Sequence, residues 1–293
     1  MNLRVIGEWI DEQEWLEPAA DLMQGAVRGF YDALGPARRN VKNFFHGTWL
    51  GHPFHPVATD IPLGAWTVTL LLDALENGDG RSGLARASDA SLVLGLGGAV
   101  ASAVSGLTDW SDTDARPRRE GLLHAMLNVT GTVLFAGSLL SRKAGSRAAG
   151  KGLAVAGYLS IIAAAYLGGE LVYHEQIGVD HSSGKEMPDE KFAAVLPEEK
   201  LQEGKLTRAH YKDTPILLVR LGRKVYALAE TCAHLGGPLS EGKLDGETVI
   251  CPWHASTFEL SSGKVVSGPS AFPQPCLETR IRDGQIEVRT SRR

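Results

Sequence analysis

The chain has 293 residues, room for two domains, and sets 30 Lys and Arg against 34 Asp and Glu, so no basic field points to nucleic acid. Its three cysteines are too few for a disulfide-built exported domain and match the usage of a reducing compartment. Residues 1–45 read as a mixed, polar N-terminal segment. They lack a charged stretch followed by an apolar run, so no cleavable signal peptide is expected. Leu22, Val27, Phe30, Tyr31 and Leu34 recur at roughly helical spacing, which predicts an amphipathic helix over Ala20–Leu34 that lies along a membrane or packs on the body.

Four apolar segments follow, at about 56–75, 90–107, 121–140 and 152–169, each long enough to match the hydrocarbon thickness of a bilayer. Short charged loops separate them: ENGDGRSG, SDTDARPRREG and SRKAGSRAAGK. A soluble bundle is the competing reading, but soluble helices that are apolar all round are rare. The small residues of GLGGAVASAVSG suit close helix packing in lipid. The expectation is an all-α, four-helix, multi-pass cell-membrane bundle over 46–180. The first segment departs most from that pattern, because Pro62 interrupts it. Pro53 and Pro56 disfavour helix at the residues before them, so His52 and His55 are expected in an extended lead-in.

Four alternating spans would bring His52, His55, His124 and His174 to one membrane face, with Thr108, Asp109, Trp110, Glu170 and Tyr173. Ionisable groups at the rim of a membrane bundle point to function. Three uses stay open for these histidines: ligation of a b-type haem with Trp66 or Trp110 beside it, a quinone headgroup site, or anchoring of the spans. Lys and Arg flank the spans almost equally on both sides, so the positive-inside rule gives no orientation.

From about Gly178 the composition turns polar, and 181–191 reads as a linker. Beyond Phe192, runs such as TPILLVRL, KVYALAE, GETVICP, STFELSSG, LETRIRDG and QIEVRT alternate with turns, which predicts a small all-β domain over 192–293. Inside it lie two short loops, CAHLGGPL at 232–239 and CPWHAS at 251–256. Each offers one thiolate and one imidazole, Cys232 with His234 and Cys251 with His254. Two Cys and two His also make a tetrahedral zinc set. Zinc ribbons pair two Cys in each knuckle, however, and zinc fingers place both His on one helix, which Pro252 disfavours around His254.

The two loops resemble those of the Rieske iron–sulfur proteins. The resemblance implies a [2Fe–2S] cluster with Cys232 and Cys251 on one iron, and His234 and His254 on the other. It also implies a β-sandwich with a cluster-binding subdomain, whose imidazoles face solvent as the electron port and whose loops pack against GKVVSGPSAFPQP. Gly237 and Trp253 stand where the Rieske subunits of quinol-oxidising complexes have a loop disulfide, and Phe258 stands where they have a Tyr that bonds a ligand sulfur. Ser256 remains as a donor toward a bridging sulfide, and Ala255 replaces a common Gly. This pattern is similar to the ferredoxin-type class, with a potential in the lower part of the Rieske range, roughly −150 to 0 mV. The stretch HGTWLGHPFHPVATDIPLGAW at 46–66 resembles a family of predicted four-span membrane domains, over roughly 45–180.

The reading is a membrane-anchored one-electron carrier, an electron-transfer component rather than a self-contained catalyst. Its partners would be redox proteins or quinone, with membrane lipid around the bundle. The missing disulfide and export signal place the β domain on the cytoplasmic side. A redox-sensing or interaction protein, and a haem- or quinone-linked oxidoreductase, are the alternatives. A Rieske oxygenase is set aside, because the 39 residues from Ala255 to Arg293 are too few for its iron-binding catalytic domain.

Overall fold

A computed structural model describes residues 9–10, 12–76, 82–184, 186–188 and 190–290. The chain divides into two compact units: Met1–Arg38 with Phe54–Ile177, and Arg39–Pro53 with Gly178–Arg293. Most of the loop expected at 76–83 lies outside the described residues, as do the first eight residues of the N-terminal segment and positions 185 and 189 of the linker.

The α-helices in chain order are α1 (Leu16–Ala33), α2 (Arg38–His46), α3 (His55–Leu75), α4 (Gly83–Trp110), α5 (Ala115–Lys143) and α6 (Arg147–Tyr173). Pro56 falls in the first turn of α3, where its missing N–H costs nothing. Ser82 caps α4 by accepting the Ala85 N–H at 3.1 Å. Helices α3 and α4 form one antiparallel hairpin and α5 and α6 another, and the hairpins meet each other less extensively than their own helices do.

The first unit is packed inside out for water. The buried positions of α4 include Ala85, Ser88, Gly95, Gly98, Ser102 and Ser105, while Val93, Leu94 and Val100 face outward. The same holds for Val129, Val133 and Leu140 on α5 and Val155, Leu159 and Ile162 on α6. Small residues inside and branched apolar residues outside are what packing in lipid demands. Gly131 and Gly157 lie where α5 and α6 touch: a Cβ on either would come 3.0 Å from the other's carbonyl oxygen.

Among the described residues three helices, α4, α5 and α6, are long and apolar enough to cross a membrane. The expected count of four spans is not matched. Helix α3 forms where the first span was read, with Asp60, Pro62 and Asp73 interrupting its apolar run. Helix α1 begins at Leu16, four residues before the expected start. It buries Leu16, Ala20, Gln24 and Tyr31, and the Gln24 amide donates to the carbonyls of Trp110 at 3.1 Å and Thr113 at 3.0 Å. It therefore packs on the body and caps the end of α4.

At the opposite end of the bundle a charged network joins the four helices. The Arg142 side chain, 1% exposed, pairs with Asp73 and reaches Asp89 at 2.9 Å and the Ser138 hydroxyl at 3.1 Å. Lys151 meets Glu76 at 2.9 Å and Arg147 meets Asp89 at 3.1 Å. Saturated pairing of this kind is what makes a buried guanidinium tolerable.

The second unit holds two antiparallel sheets. The larger runs β1–β10–β9–β4–β3–β2, from β1 (Ala193–Pro197), β2 (Thr207–Tyr211), β3 (Thr214–Leu221), β4 (Lys224–Ala229), β9 (Cys276–Arg282) and β10 (Gln285–Thr290). The smaller runs β5–β6–β7–β8, from β5 (Lys243–Asp245), β6 (Thr248–Ile250), β7 (Thr257–Glu259) and β8 (Val265–Ser267). Strand β3 sends Leu217 and Val219 to one core and Ile216 and Leu218 to another, as the two-residue period requires. The first of these cores also contains Cys232, Cys251 and Phe258.

Candidate functional site

The two cysteine loops share one backbone design. In the first, after β4, Cys232 N–H donates to Gly237 O at 2.8 Å and Gly236 N–H to Cys232 O at 2.9 Å. In the second, between β6 and β7, Cys251 N–H donates to Ser256 O at 2.8 Å and Ala255 N–H to Cys251 O at 3.2 Å. Both turns need a left-handed residue four positions after the cysteine, supplied by Gly236 at φ 79° and by Ala255 at φ 59°. The match extends to the sulfurs: the N–H groups of His234 and Leu235 point at Cys232 Sγ, and those of Trp253 and His254 at Cys251 Sγ.

The sulfurs also meet each other. The Cys232 thiol donates to Cys251, which draws the Cys251 pKa down to about 6 and, together with burial, pushes Cys232 up. Paired, buried sulfurs facing several N–H donors suit thiolates shared around a metal. The imidazoles of His234 and His254 lie with ring centres 5.0 Å apart and planes at 82°. Two imidazoles on one tetrahedral metal, at metal–nitrogen distances of about 2.0 Å, would place their centres about 5 Å apart. Gly237 completes the cradle, since a Cβ there would lie 2.8 Å from Cys251 Sγ and 3.1 Å from the Trp253 ring. The donor set and its spacing therefore fit a [2Fe–2S] centre held by two Cys and two His. Both His rings are half-buried, the sulfurs are buried, and Trp253 beside them is 57% exposed.

Gln274, which was not singled out from the sequence, holds the first loop in place. Its amide donates to Ala229 O at 2.7 Å and Thr231 O at 2.6 Å, and its carbonyl accepts the Ala233 N–H at 3.0 Å. It lies in the Gly/Pro segment expected against the loops. Ser256 accepts the Ser270 N–H at 3.0 Å, which ties the second loop to that segment and leaves its own hydroxyl proton to donate elsewhere. The segment is held from the other side by Asn43 of α2, which donates to Val266 O at 3.1 Å and accepts the Gly268 N–H at 2.9 Å. The buried His46 packs on Gly268.

Of the four histidines expected at one membrane face, the structure brings His55 and His124 together. Their ring centres lie 6.4 Å apart with planes at 80°. His52 belongs to the second unit and is exposed, its Nδ1 near its neighbour's Pro53 O. His174 ends α6, with its side chain 62% exposed beside Glu175. Trp66 stacks on Phe135, and Trp110 donates to Arg118 O at 2.8 Å, so each indole has a packing role of its own.

Comparison with known proteins bears on both units. Residues 191–278 match the family model described as the Rieske [2Fe-2S] domain. The ferredoxin CarAc of Metapseudomonas resinovorans is 35% identical over 74 residues, which are 25% of this chain and 69% of that protein. The chain belongs to the Rieske [2Fe–2S] family. A second Rieske relative is the anthranilate 1,2-dioxygenase ferredoxin subunit of Burkholderia cepacia, 34% identical over 25% of this chain and 68% of that protein. Among solved structures, a complex of reduced oxygenase and oxidised ferredoxin in carbazole 1,9a-dioxygenase contains a chain 28% identical, covering 36% of this chain and all of that one, with a TM-score of 0.33. Residues 51–181 match a second family, described as predicted membrane protein (DUF2231). The Rieske match implies a [2Fe–2S] cluster and electron transfer, and the second match with its apolar helices indicates a membrane protein.

Proposed function

We propose that the protein is a membrane-anchored one-electron carrier whose Rieske unit binds a [2Fe–2S] cluster through Cys232, His234, Cys251 and His254. When bound, the cluster supplies a single reversible electron at a potential set by its ligands and its hydrogen bonds. The chain's own residues hold that centre rigid. Cys232 and Cys251 lie 0% and 3% exposed under the core, which keeps water from the sulfurs, while His234 and His254 reach the surface as the port for electrons. The N–H groups aimed at both sulfurs stabilise negative charge there and so favour acceptance of an electron. One observation carries this reading: two loops of identical wiring converge, each offering one thiol and one imidazole, with the imidazoles 5.0 Å apart.

Two of the relatives are ferredoxins by name, which supports a redox protein as partner, docking on the half-buried imidazoles beside Trp253. Ile61, Val68, Leu71 and Leu75 face outward from α3, which supports α3 as a fourth helix in contact with lipid. The cysteine usage favours the cytoplasmic side for the Rieske unit. Replacing His234 or His254 by Ala should abolish the Rieske EPR signal while the chain still inserts into membranes. A variant of either that keeps the normal reduced spectrum refutes the ligand assignment.

A further inference from the structure

The first unit contains a pair of imidazoles that the Rieske unit does not use. His55 stands at the start of α3, and His124 stands two turns into α5. Each ring is aimed by the partner helix of its own hairpin. His55 Nδ1 lies 2.9 Å from Ser102 O on α4, and His124 Nδ1 lies 2.8 Å from Ala164 O on α6. A carbonyl only accepts, so both Nδ1 atoms carry a proton, and in the neutral imidazole Nε2 then keeps its lone pair. That is the arrangement found around metal-bound histidines, where the second nitrogen donates to a main-chain carbonyl and fixes the ring.

Neighbouring residues are cut to fit these rings. A Cβ on Gly106 would lie 2.7 Å from the His55 ring, and one on Gly168 would lie 3.1 Å from the His124 ring. Glycine on α4 and again on α6 therefore makes room for one imidazole in each hairpin. The two rings then meet edge to face across the boundary between the hairpins, where packing between helices is less extensive.

The spacing selects the kind of ligand. Two imidazoles bound to opposite sides of one metal, at metal–nitrogen distances of about 2.0 Å, would place their ring centres about 6.3 Å apart. The observed 6.4 Å meets that value and exceeds the 5.0 Å of the His234–His254 pair, which suits two ligands on the same side of a tetrahedral iron. Among described residues no cluster of three or more His, Cys, Asp or Glu could complete a protein-only metal cage. A metal here must bring its own equatorial ligands, and the surroundings are apolar helices.

We propose that His55 and His124 are the axial ligands of a b-type haem, an iron porphyrin held between the α3–α4 and α5–α6 hairpins. The porphyrin supplies the four equatorial nitrogens, and each hairpin supplies one axial imidazole through Nε2. Asn128, whose amide lies 3.1 Å from His124 Nε2 and 2.9 Å from His124 O, keeps its bond to the carbonyl and releases the ring nitrogen. This site stands independently of the cluster reading.

The test uses the full chain, purified in mild detergent from haem-replete cells. Absorbance and a pyridine haemochrome assay count protohaem per chain, while EPR of the cluster reports separately on the Rieske unit. The expected result is a Soret band with one protohaem per chain and a low-spin ferric signal. His55→Ala and His124→Ala should each lower haem content about tenfold or more, with the cluster signal intact. His52→Ala and His174→Ala should leave haem content unchanged. His124→Met keeps an axial ligand and should retain haem with a shifted spectrum and a higher potential, which a merely structural role for His124 would not produce. Protein that carries its cluster but takes up no haem, even when titrated with haemin, overturns the proposal. So does haem that survives both alanine substitutions, or copper or zinc bound at one per chain in its place.

Discussion

Gln274 offers the sharpest test of how the first cluster loop is held. Its side chain satisfies three backbone groups at once, the carbonyls of Ala229 and Thr231 and the N–H of Ala233. Gln274 is 1% exposed, and Ala229 and Ala233 are 1% and 0% exposed, so no water replaces the lost amide. A buried polar group left unsatisfied costs about 1–3 kcal/mol. With Thr231 discounted for its partial exposure, Gln274→Ala should destabilise the Rieske unit by about 3–5 kcal/mol. Gln274→Glu keeps the shape but turns a donor into an anionic oxygen facing two carbonyls, and should be at least as damaging at neutral pH. Urea titration of the full chain in detergent, followed by loss of cluster absorbance, measures both. A cost below about 1 kcal/mol for Gln274→Ala, with cluster content unchanged, would refute the clamp.

Three further outcomes are expected. Ala255 adopts a left-handed conformation at φ 59°, so Ala255→Gly should stabilise the same unit by about 1 kcal/mol in the same titration; a loss of stability contradicts this. Phe258 is fully buried in the core that contains Cys232 and Cys251, the proposed ligands, and offers no hydrogen bond. Phe258→Tyr should raise the midpoint potential by about 40–60 mV, since a bond that differs by about 1–1.4 kcal/mol between oxidation states converts at 59 mV per tenfold; an unchanged or lowered value in a spectroscopic titration counts against it. Asp73→Ala strands the Arg142 guanidinium and should cost about 3–5 kcal/mol in unfolding of the membrane unit, whereas Asp73→Ala with Arg142→Met should recover most of that loss. A double variant no more stable than the single one contradicts the network's role.

The parts of this molecule legible in the sequence are those where chemistry restricts residue types at fixed spacing. Cys232, His234, Cys251 and His254 stand out because a mixed ligand set tolerates few alternatives, and the structure brings those four together. Strands β3, β4, β9 and β10 announce themselves by β-branched and apolar runs between turns. By contrast β2, with TRAHY, and β5, with three residues, carry no such pattern and exist through their neighbours. The roles of Gln274 and Asn43 depend on partners about 40 and more than 220 positions away, which no local pattern encodes. For the same reason no local pattern encodes the grouping of residues 39–53 with the second unit, which rests on contacts such as those of Asn43. Arg142 looks like a loop charge in SRKAGS, yet α5 extends through Lys143 and buries it against Asp73. Among the histidines, residue type and alternating direction suggested four for one site, but only long-range carbonyl contacts separate His55 and His124 from His52 and His174.

The central claim is that two imidazoles and two thiolates of this chain share one [2Fe–2S] cluster. Pulsed EPR of the dithionite-reduced full chain in detergent, with histidine labelled by ¹⁵N, tests it most directly. The account predicts a reduced cluster strongly coupled to two histidine nitrogens, losing that signal in His234→Ala and in His254→Ala. A cluster signal without histidine nitrogen coupling, or purified protein holding zinc at these residues and no iron, would contradict it.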